Sequence, residues 1–398
     1  MIPYYRKNLY ILSTTIFLAA LSWNQVIPFL PKYLETLGVH ENIDWWVGIV
    51  FSMQSAAAII CMPLWGKLGD THGRKTMIIR AGICLSLIYV GMTFCQQAWH
   101  LVLFRFLNGA LTGFVPSSFA LLATNTPADK APKSVATAQM TASAGFILGP
   151  AFGGILADIW GYRGSMWLSG GFILLSTLMV WLFVEEPNKV IPEEVKTNLW
   201  EDIVIAMRNP FQRAMLFATF ICWAFGASIA PYLALYIPTL GKNIPTWMVG
   251  VIISLPSLAL LLTARFWIKM GEHKGYGKVM VLGLAGTGLT AIILFFTRNY
   301  WAFALIYFLA GIFLAAIPPA VGALTCLKID ASFRGRAYGL ENSAGTLSAL
   351  IAPLMASTIS SFLGRSALFP FAGFICLVGA FFLWKQVCHW ESKLSIIQ

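Results

Sequence analysis

The chain returns repeatedly to apolar runs of about twenty residues, and this recurrence limits its fold more than any other feature. A helix of that length crosses the roughly 30 Å hydrocarbon layer of a bilayer. Lipid offers no partner to an open sheet edge or an irregular backbone, so spanning segments must be helices or closed barrels. The runs occupy roughly 8–33, 45–65, 76–95, 99–123, 135–157 and 163–184, then 212–237, 246–267, 278–296, 300–326, 337–361 and 367–388. No alternating barrel pattern accompanies them. The expected fold class is an all-α membrane protein with twelve transmembrane helices. Composition agrees: 11% of the 398 residues are charged and 58% are hydrophobic, whereas a soluble domain carries about 25% charged residues. A soluble enzyme, a disordered chain and a secreted disulfide scaffold are excluded. The seven cysteines form no CxxC pair and read as packing residues within apolar runs.

The net charge of +11 does not point to nucleic acid, because the bases cluster in alternate short loops. One side of the membrane holds 21 of the 27 Lys and Arg, from Arg6 and Lys7 through Lys67, Arg74 and Lys75 to Arg334 and Arg336. The other holds five, Lys32, Arg163, Lys242, Arg298 and Arg365, and Arg105 lies within a span. Cytoplasmic loops carry the excess of bases, so both termini and the long charged loop at 185–211 are expected in the cytoplasm.

That loop divides the chain near its midpoint, and the halves repeat. VIPFLPKYLETLG (26–38) aligns with IAPYLALYIPTLG (229–241), WGKLGDTHG (65–73) with WIKMGEHKG (267–275), and LFRFLNGALTGFVP (103–116) with LIYFLAGIFLAAIP (305–318). The offset is 202 or 203 residues throughout. It spans six helices, so the copies share one sidedness and are parallel repeats about an axis along the membrane normal. The expected organisation is a six-helix bundle at 1–184, a cytoplasmic linker at 185–211 and a second six-helix bundle at 212–398, with a central cavity between the bundles.

Several residues stand out against this background. In GKLGDTHGRK (66–75), Gly66 and Gly69 permit a tight turn or close helix approach. Asp70 precedes the third helix, where a carboxylate favours the helix N-terminus, and Arg74 lies four residues on. Gly271, Glu272 and Gly275 echo the pattern in the second half. Arg105 is the one base well inside a span, at a cost of about 2.5–3.5 kcal/mol on insertion scales. A functional role competes with a structural one, in which the guanidinium caps carbonyls of a neighbouring helix. Gly145, Gly149, Gly153 and Gly154 surround Pro150 in the fifth helix and suit tight helix crossing. Glu341 is the clearest carboxylate inside a span, unless it pairs with Arg334 or Arg336 at the helix mouth. Polar and aromatic candidates for lining a cavity are Trp23, Asn24, Gln25, Gln54, Asn108, Gln139, Trp223, Tyr232, Tyr236 and Asn342. Pro28 and Pro231 occupy equivalent places and are expected to kink the first and seventh helices. No phosphate-binding loop, metal-spaced histidines or nucleophile–base set is present. No cofactor, no metal and no enzymatic activity are expected.

The 66–75 loop resembles the signature loop of the major facilitator superfamily. LVLFRFLNG (101–109) resembles its fourth-helix motif, and GFILGPAFGG (145–154) its fifth-helix antiporter motif. NQVIPFLPKYLETLG (24–38) resembles the first helix of twelve-span drug:proton antiporters. The resemblance covers essentially the whole chain. It implies two bundles related by a pseudo-twofold axis and proton-coupled efflux of amphipathic small molecules by alternating access. It further implies a role for Arg105 in coupling, a monomer, and a bacterial plasma (inner) membrane. Cytoplasmic latches are expected between Asp70 and Arg334 or Arg336, and between Glu272 and Lys133. One departure is plain: many such exporters carry a carboxylate in helix one or four, where this first helix has Trp23, Asn24 and Gln25. The proton carrier is therefore open. The alternatives are an exporter or importer of one metabolite, siderophore-like or lipid-like, and a receptor that moves no solute.

Overall fold

A computed structural model of the protein describes residues 4–127, 129–187, 199–330 and 333–395, the side chains of Asp70, Pro132, Leu199 and 389–395 aside. The first half contains α1 (Tyr4–Val26), α2 (Leu30–Thr36), α3 (Ile43–His72), α4 (Arg74–Met92), α5 (Ala98–Leu111), α6 (Phe114–Asn125) and α7 (Ala131–Phe183). After α8 (Leu199–Arg208), the second half contains α9 (Pro210–Tyr236), α10 (Thr246–Lys274), α11 (Tyr276–Phe296) and α12 (Tyr300–Leu314). It closes with α13 (Ile317–Lys328), α14 (Arg334–Leu363) and α15 (Leu368–Ser395). No strand occurs among the described residues.

Eleven continuous helical segments among the described residues are long and apolar enough to cross a membrane. One of them, α7, is 53 residues long, about 80 Å at 1.5 Å per residue, more than twice the hydrocarbon thickness. Gly161 interrupts it with φ 70° and ψ 173°, a conformation that glycine adopts without a Cβ penalty. Two of the twelve expected spans are thus fused into one segment with a break at their turn.

The repeat read from the letters returns as repeated geometry within each half. Gly73 (φ 96°) and Gly275 (φ 89°) each end one helix and start the next, their N–H groups reaching Gly69 O at 3.1 Å and Gly271 O at 2.9 Å. Trp65 Nε1 donates to Ala110 O at 2.6 Å, and Trp267 Nε1 to Ile312 O at 2.8 Å. The fourth span breaks between α5 and α6, and the tenth between α12 and α13. Both expected spans, at 99–123 and 300–326, are therefore two half-helices each.

Three local features add detail to the expectations. Pro28 lies in a 3-10 turn, Ile27–Phe29, whereas its counterpart Pro231 sits inside the continuous α9. The seventh span instead tightens after Tyr236, at Ile237–Leu240 around Pro238. Asp70 belongs to the last turn of α3 rather than to a loop; its side chain lies outside the described residues. The charged linker is not loop throughout, since 199–208 is the helix α8.

Packing groups the chain into two units. The first comprises Met1–Glu194 with Leu233–Pro238 and Asn243–Ser254. The second comprises Val195–Tyr232, Thr239–Lys242 and Leu255–Gln398. Many large apolar side chains on the spans are exposed, among them Ile60, Leu87, Leu262 and Phe296. That is the surface expected of helices facing lipid, not water.

Candidate functional site

In the first unit, the fourth-span half-helix α5 lies directly against α3. A Cβ on Gly109 would overlap the carbonyl oxygen of Gln54, so only glycine permits this approach. The close crossing buries Arg105, 3% exposed, and Asn108, fully buried. Arg105 Nε points at Val50 O at 3.4 Å, and its guanidinium lies 5.4 Å from the Phe51 ring. No carboxylate of the described residues pairs with it. Tyr89 from α4 sits beside Arg105 and Asn108. The Tyr89 hydroxyl faces the Asn108 side chain, and both residues are buried within this crossing. Gln54 is buried at the same crossing. Arg105, Asn108, Tyr89 and Gln54 thus form one buried polar cluster within the first unit.

The glycines of α7 face two neighbours. A Cβ on Gly145 would meet Phe17 O at 2.7 Å, one on Gly149 would meet Asn24 Cβ at 2.5 Å, and one on Gly153 would overlap Gln25 O. These three seat the fifth span on α1. Gly154 instead faces Thr246 O at 2.5 Å, and Pro150 O lies against Gly250. Just beyond, Asp158 receives the N–H groups of Thr246 (3.2 Å) and Trp247 (2.9 Å) at the start of α10. A carboxylate there satisfies otherwise orphaned amides and sits favourably on the helix dipole. A cavity of about 430 Å³ opens alongside, lined in part by Phe29, Lys32, Glu35, Tyr162 and Thr246. Lys32 and Glu35 pair along α2, one turn apart, at 2.9 Å on its wall.

The second unit holds a cavity of about 250 Å³ that gathers Trp223, Glu341 and Asn342 with Cys222, Thr219 and Tyr338. Glu341 is buried. It does not pair with either arginine proposed for it. Arg336 bonds Asp202 at 2.9 Å and Arg334 bonds Ile329 O at 3.0 Å. The carboxylate instead meets Thr325 Oγ1 at 2.7 Å and Gln212 Nε2 at 3.4 Å. The helix turns Glu341 inward from α14 while Arg334 and Arg336 stay at its mouth, and sequence distance alone does not distinguish these faces.

Other candidates scatter. Gln25 is buried and donates to Ser165 O at 3.1 Å and to Ser169 Oγ, tying the first span to the sixth. Asn24 Nδ2 turns back to Ala20 O. Trp23 lines a small cavity of about 60 Å³ with Tyr89 and Thr112. Gln139 and Glu272 are exposed. Tyr232 is buried with its hydroxyl 3.4 Å from Pro353 O, and Tyr236 is buried near the same helix end. Arg74 donates its backbone N–H to Glu186 Oε1 at 2.8 Å, and Lys75 donates to Oε2 at 3.0 Å. The carboxylate seated on the N-terminus of α4 is thus Glu186, over a hundred residues away. Glu186, Asp202, Gln212 and Thr325 escaped the sequence reading. A polar residue in an apolar run, as at Gln212 and Thr325, is the one signal that was available.

Two kinds of comparison agree with this architecture. The family model of the Major Facilitator Superfamily matches residues 12–248 and 215–389. The multidrug resistance protein MdtG of Proteus mirabilis (strain HI4320) is 31% identical over 384 residues, covering 96% of each chain. MdtG of Salmonella arizonae is likewise 31% identical, over 388 residues and 96% of each. Among solved structures, a bacterial homologue of the human lysosomal transporter Spinster superposes with a TM-score of 0.82 at 13% identity, covering 97% of each chain. The likeness in sequence spans 96% of the chain, and the chain belongs to the Major Facilitator Superfamily: it is a multi-pass membrane transporter, not an enzyme.

Proposed function

We propose that the protein exports amphipathic small molecules in exchange for protons, its halves at 1–184 and 212–398 alternating access to a midplane path. The relatives' name, multidrug resistance protein, supports the substrate class. The observation that carries the reading is Glu341: a carboxylate inside a span, held by neutral donors and lining a cavity with an aromatic wall. A carboxylate without a cation is suited to gain and lose a proton, and Trp223 and Asn342 offer the apolar surface and polar anchor a small ligand uses. Arg105, with Asn108 and Gln54, acts in the first half as the conformational relay. Gly145, Gly149 and Pro150 keep the fifth span close-packed during the movement. Asp70, Arg74 and Glu272 act at the ends of the spans. Both termini lie in the cytoplasm of a bacterial inner membrane, and the working unit is a monomer.

The test is transport of amphipathic dyes by the purified protein in proteoliposomes under an imposed pH gradient. The gradient should drive accumulation, and a protonophore should abolish it. Glu341→Gln should lose gradient-driven movement yet retain exchange of labelled for unlabelled dye. Transport indifferent to the protonophore, or a Glu341→Gln protein still driven by the gradient, would overturn the reading.

A further inference from the structure

The linker helix α8 is ten residues long, about 15 Å. Asn209 alone separates it from Pro210, where α9 begins. The Asn209 side chain caps α9, accepting from the N–H groups of Phe211 (2.9 Å) and Gln212 (3.3 Å). The junction is therefore ordered, and α8 leads directly into the segment Pro210–Leu240, which is long and apolar enough to cross a membrane.

At about 100° per residue, the side chains of α8 divide into three sectors. Asp202 and Ala206, four apart, are buried, and Asp202 holds Arg336 at 2.9 Å. Glu201 and Arg208 are exposed on a second sector. On the third, Trp200, Ile203 and Met207 are 70%, 39% and 48% exposed. Their i, i+3, i+7 spacing makes a continuous apolar stripe. Ile205, also exposed, lies between the first two sectors. A helix between protein and water alone needs only two kinds of face. The third matches a helix lying in the headgroup–acyl boundary, with tryptophan at the depth that residue favours.

We propose that α8 docks on the bilayer itself, on the side of the basic loops, with Trp200, Ile203 and Met207 in the acyl boundary and Glu201 and Arg208 in water. Through Asp202 it ties Arg336, two residues into α14, to the membrane plane. The start of the span that carries Glu341 is thereby given a fixed point.

The test uses the full chain in vesicles of phosphatidylethanolamine and phosphatidylglycerol, with the exposed Cys326 and Cys388 replaced by Ser. Nitroxide labels are placed at Ile203→Cys, Met207→Cys, Glu201→Cys and Arg208→Cys. Labels at 203 and 207 should show a several-fold higher ratio of oxygen to nickel-chelate collisions than those at 201 and 208. Equal nickel access at all four positions would place α8 in water, and equal shielding from both reagents would place it inside protein; either result overturns the proposal. A second measurement leaves the helix nearly native. The tryptophan emission lost in Trp200→Phe should be quenched by lipids brominated near the headgroup and not by aqueous acrylamide, and the opposite pattern counts against docking.

Discussion

Replacing Arg105 by methionine should separate stability from function. Methionine approximates the length of the side chain and fills the crossing without a charge, a class of swap that cores tolerate. What is lost is small. The single Nε contact to Val50 O is 3.4 Å long, at the weak end of hydrogen bonding, and contributes about 1 kcal/mol. The Phe51 ring at 5.4 Å adds about 1 kcal/mol of cation–π attraction. What is gained is relief from holding a cation within a span, about 2.5–3.5 kcal/mol by insertion. Arg105→Met should therefore leave stability unchanged or raise it by about 1 kcal/mol, while gradient-driven transport falls to background. Thermal unfolding in detergent can be followed with a thiol-reactive dye, since Cys95 and Cys376 are buried and free. A destabilisation beyond about 3 kcal/mol would mean that the arginine holds carbonyls together, the cost of leaving buried acceptors unpaired. Full transport by a stable variant would refute the functional role just as directly.

Four further outcomes can be measured with the same preparation. Gly109→Ala forces a Cβ onto the Gln54 backbone, 2.8 and 3.0 Å from its C and Cα, and should cost about 1–3 kcal/mol of overpacking. Gly66→Ala meets nothing within 4 Å and should be neutral or gain up to about 1 kcal/mol of helix propensity in the same melt. Glu186→Gln keeps one acceptor for the amides of Arg74 and Lys75 but removes the charge and one bond, lowering stability by about 0.5–1 kcal/mol; an unchanged melting temperature at low salt would show that the cap contributes nothing. Burial pushes the Cys95 thiol up to about 11. At pH 8 only about one molecule in a thousand carries the reactive thiolate, so alkylation of Cys95 in the folded protein should be negligible there and climb steeply towards pH 11. Mass spectrometry after timed alkylation reads both limits, and rapid labelling at pH 8 contradicts the burial.

The membrane spans were legible because lipid admits few solutions. Apolar length at 45–65 or 278–296 has to become helix once water is absent, and α3 and α11 cover those runs. The repeat was legible too, because the turns at Gly73 and Gly275 demand the same positive φ and hence the same letter. Less visible were interruptions inside spans. Thr112–Gly113 and Ala315–Ala316 break two helices, yet neither pair contains the proline that ordinarily announces a kink. Conversely, Pro231 is absorbed into α9 without a break.

The amino-acid sequence by itself determined that this chain is a bundle of membrane helices in two related halves, with a guanidinium and a carboxylate in its spans. Those are properties of hydropathy, period and charge, each read over a window shorter than one helix or from one window repeated. Only the tertiary structure decided the partners. Glu341 lies with Thr325 and Gln212, Arg336 with Asp202, and Arg74 and Lys75 beneath Glu186. Gln212 and Glu341 stand 129 residues apart, and Arg74 and Glu186 stand 112 apart. Such pairings depend on which face of each helix turns inward and on how deeply it sits. Helix packing sets both, through contacts such as Gly109 on Gln54 that no local stretch of sequence contains.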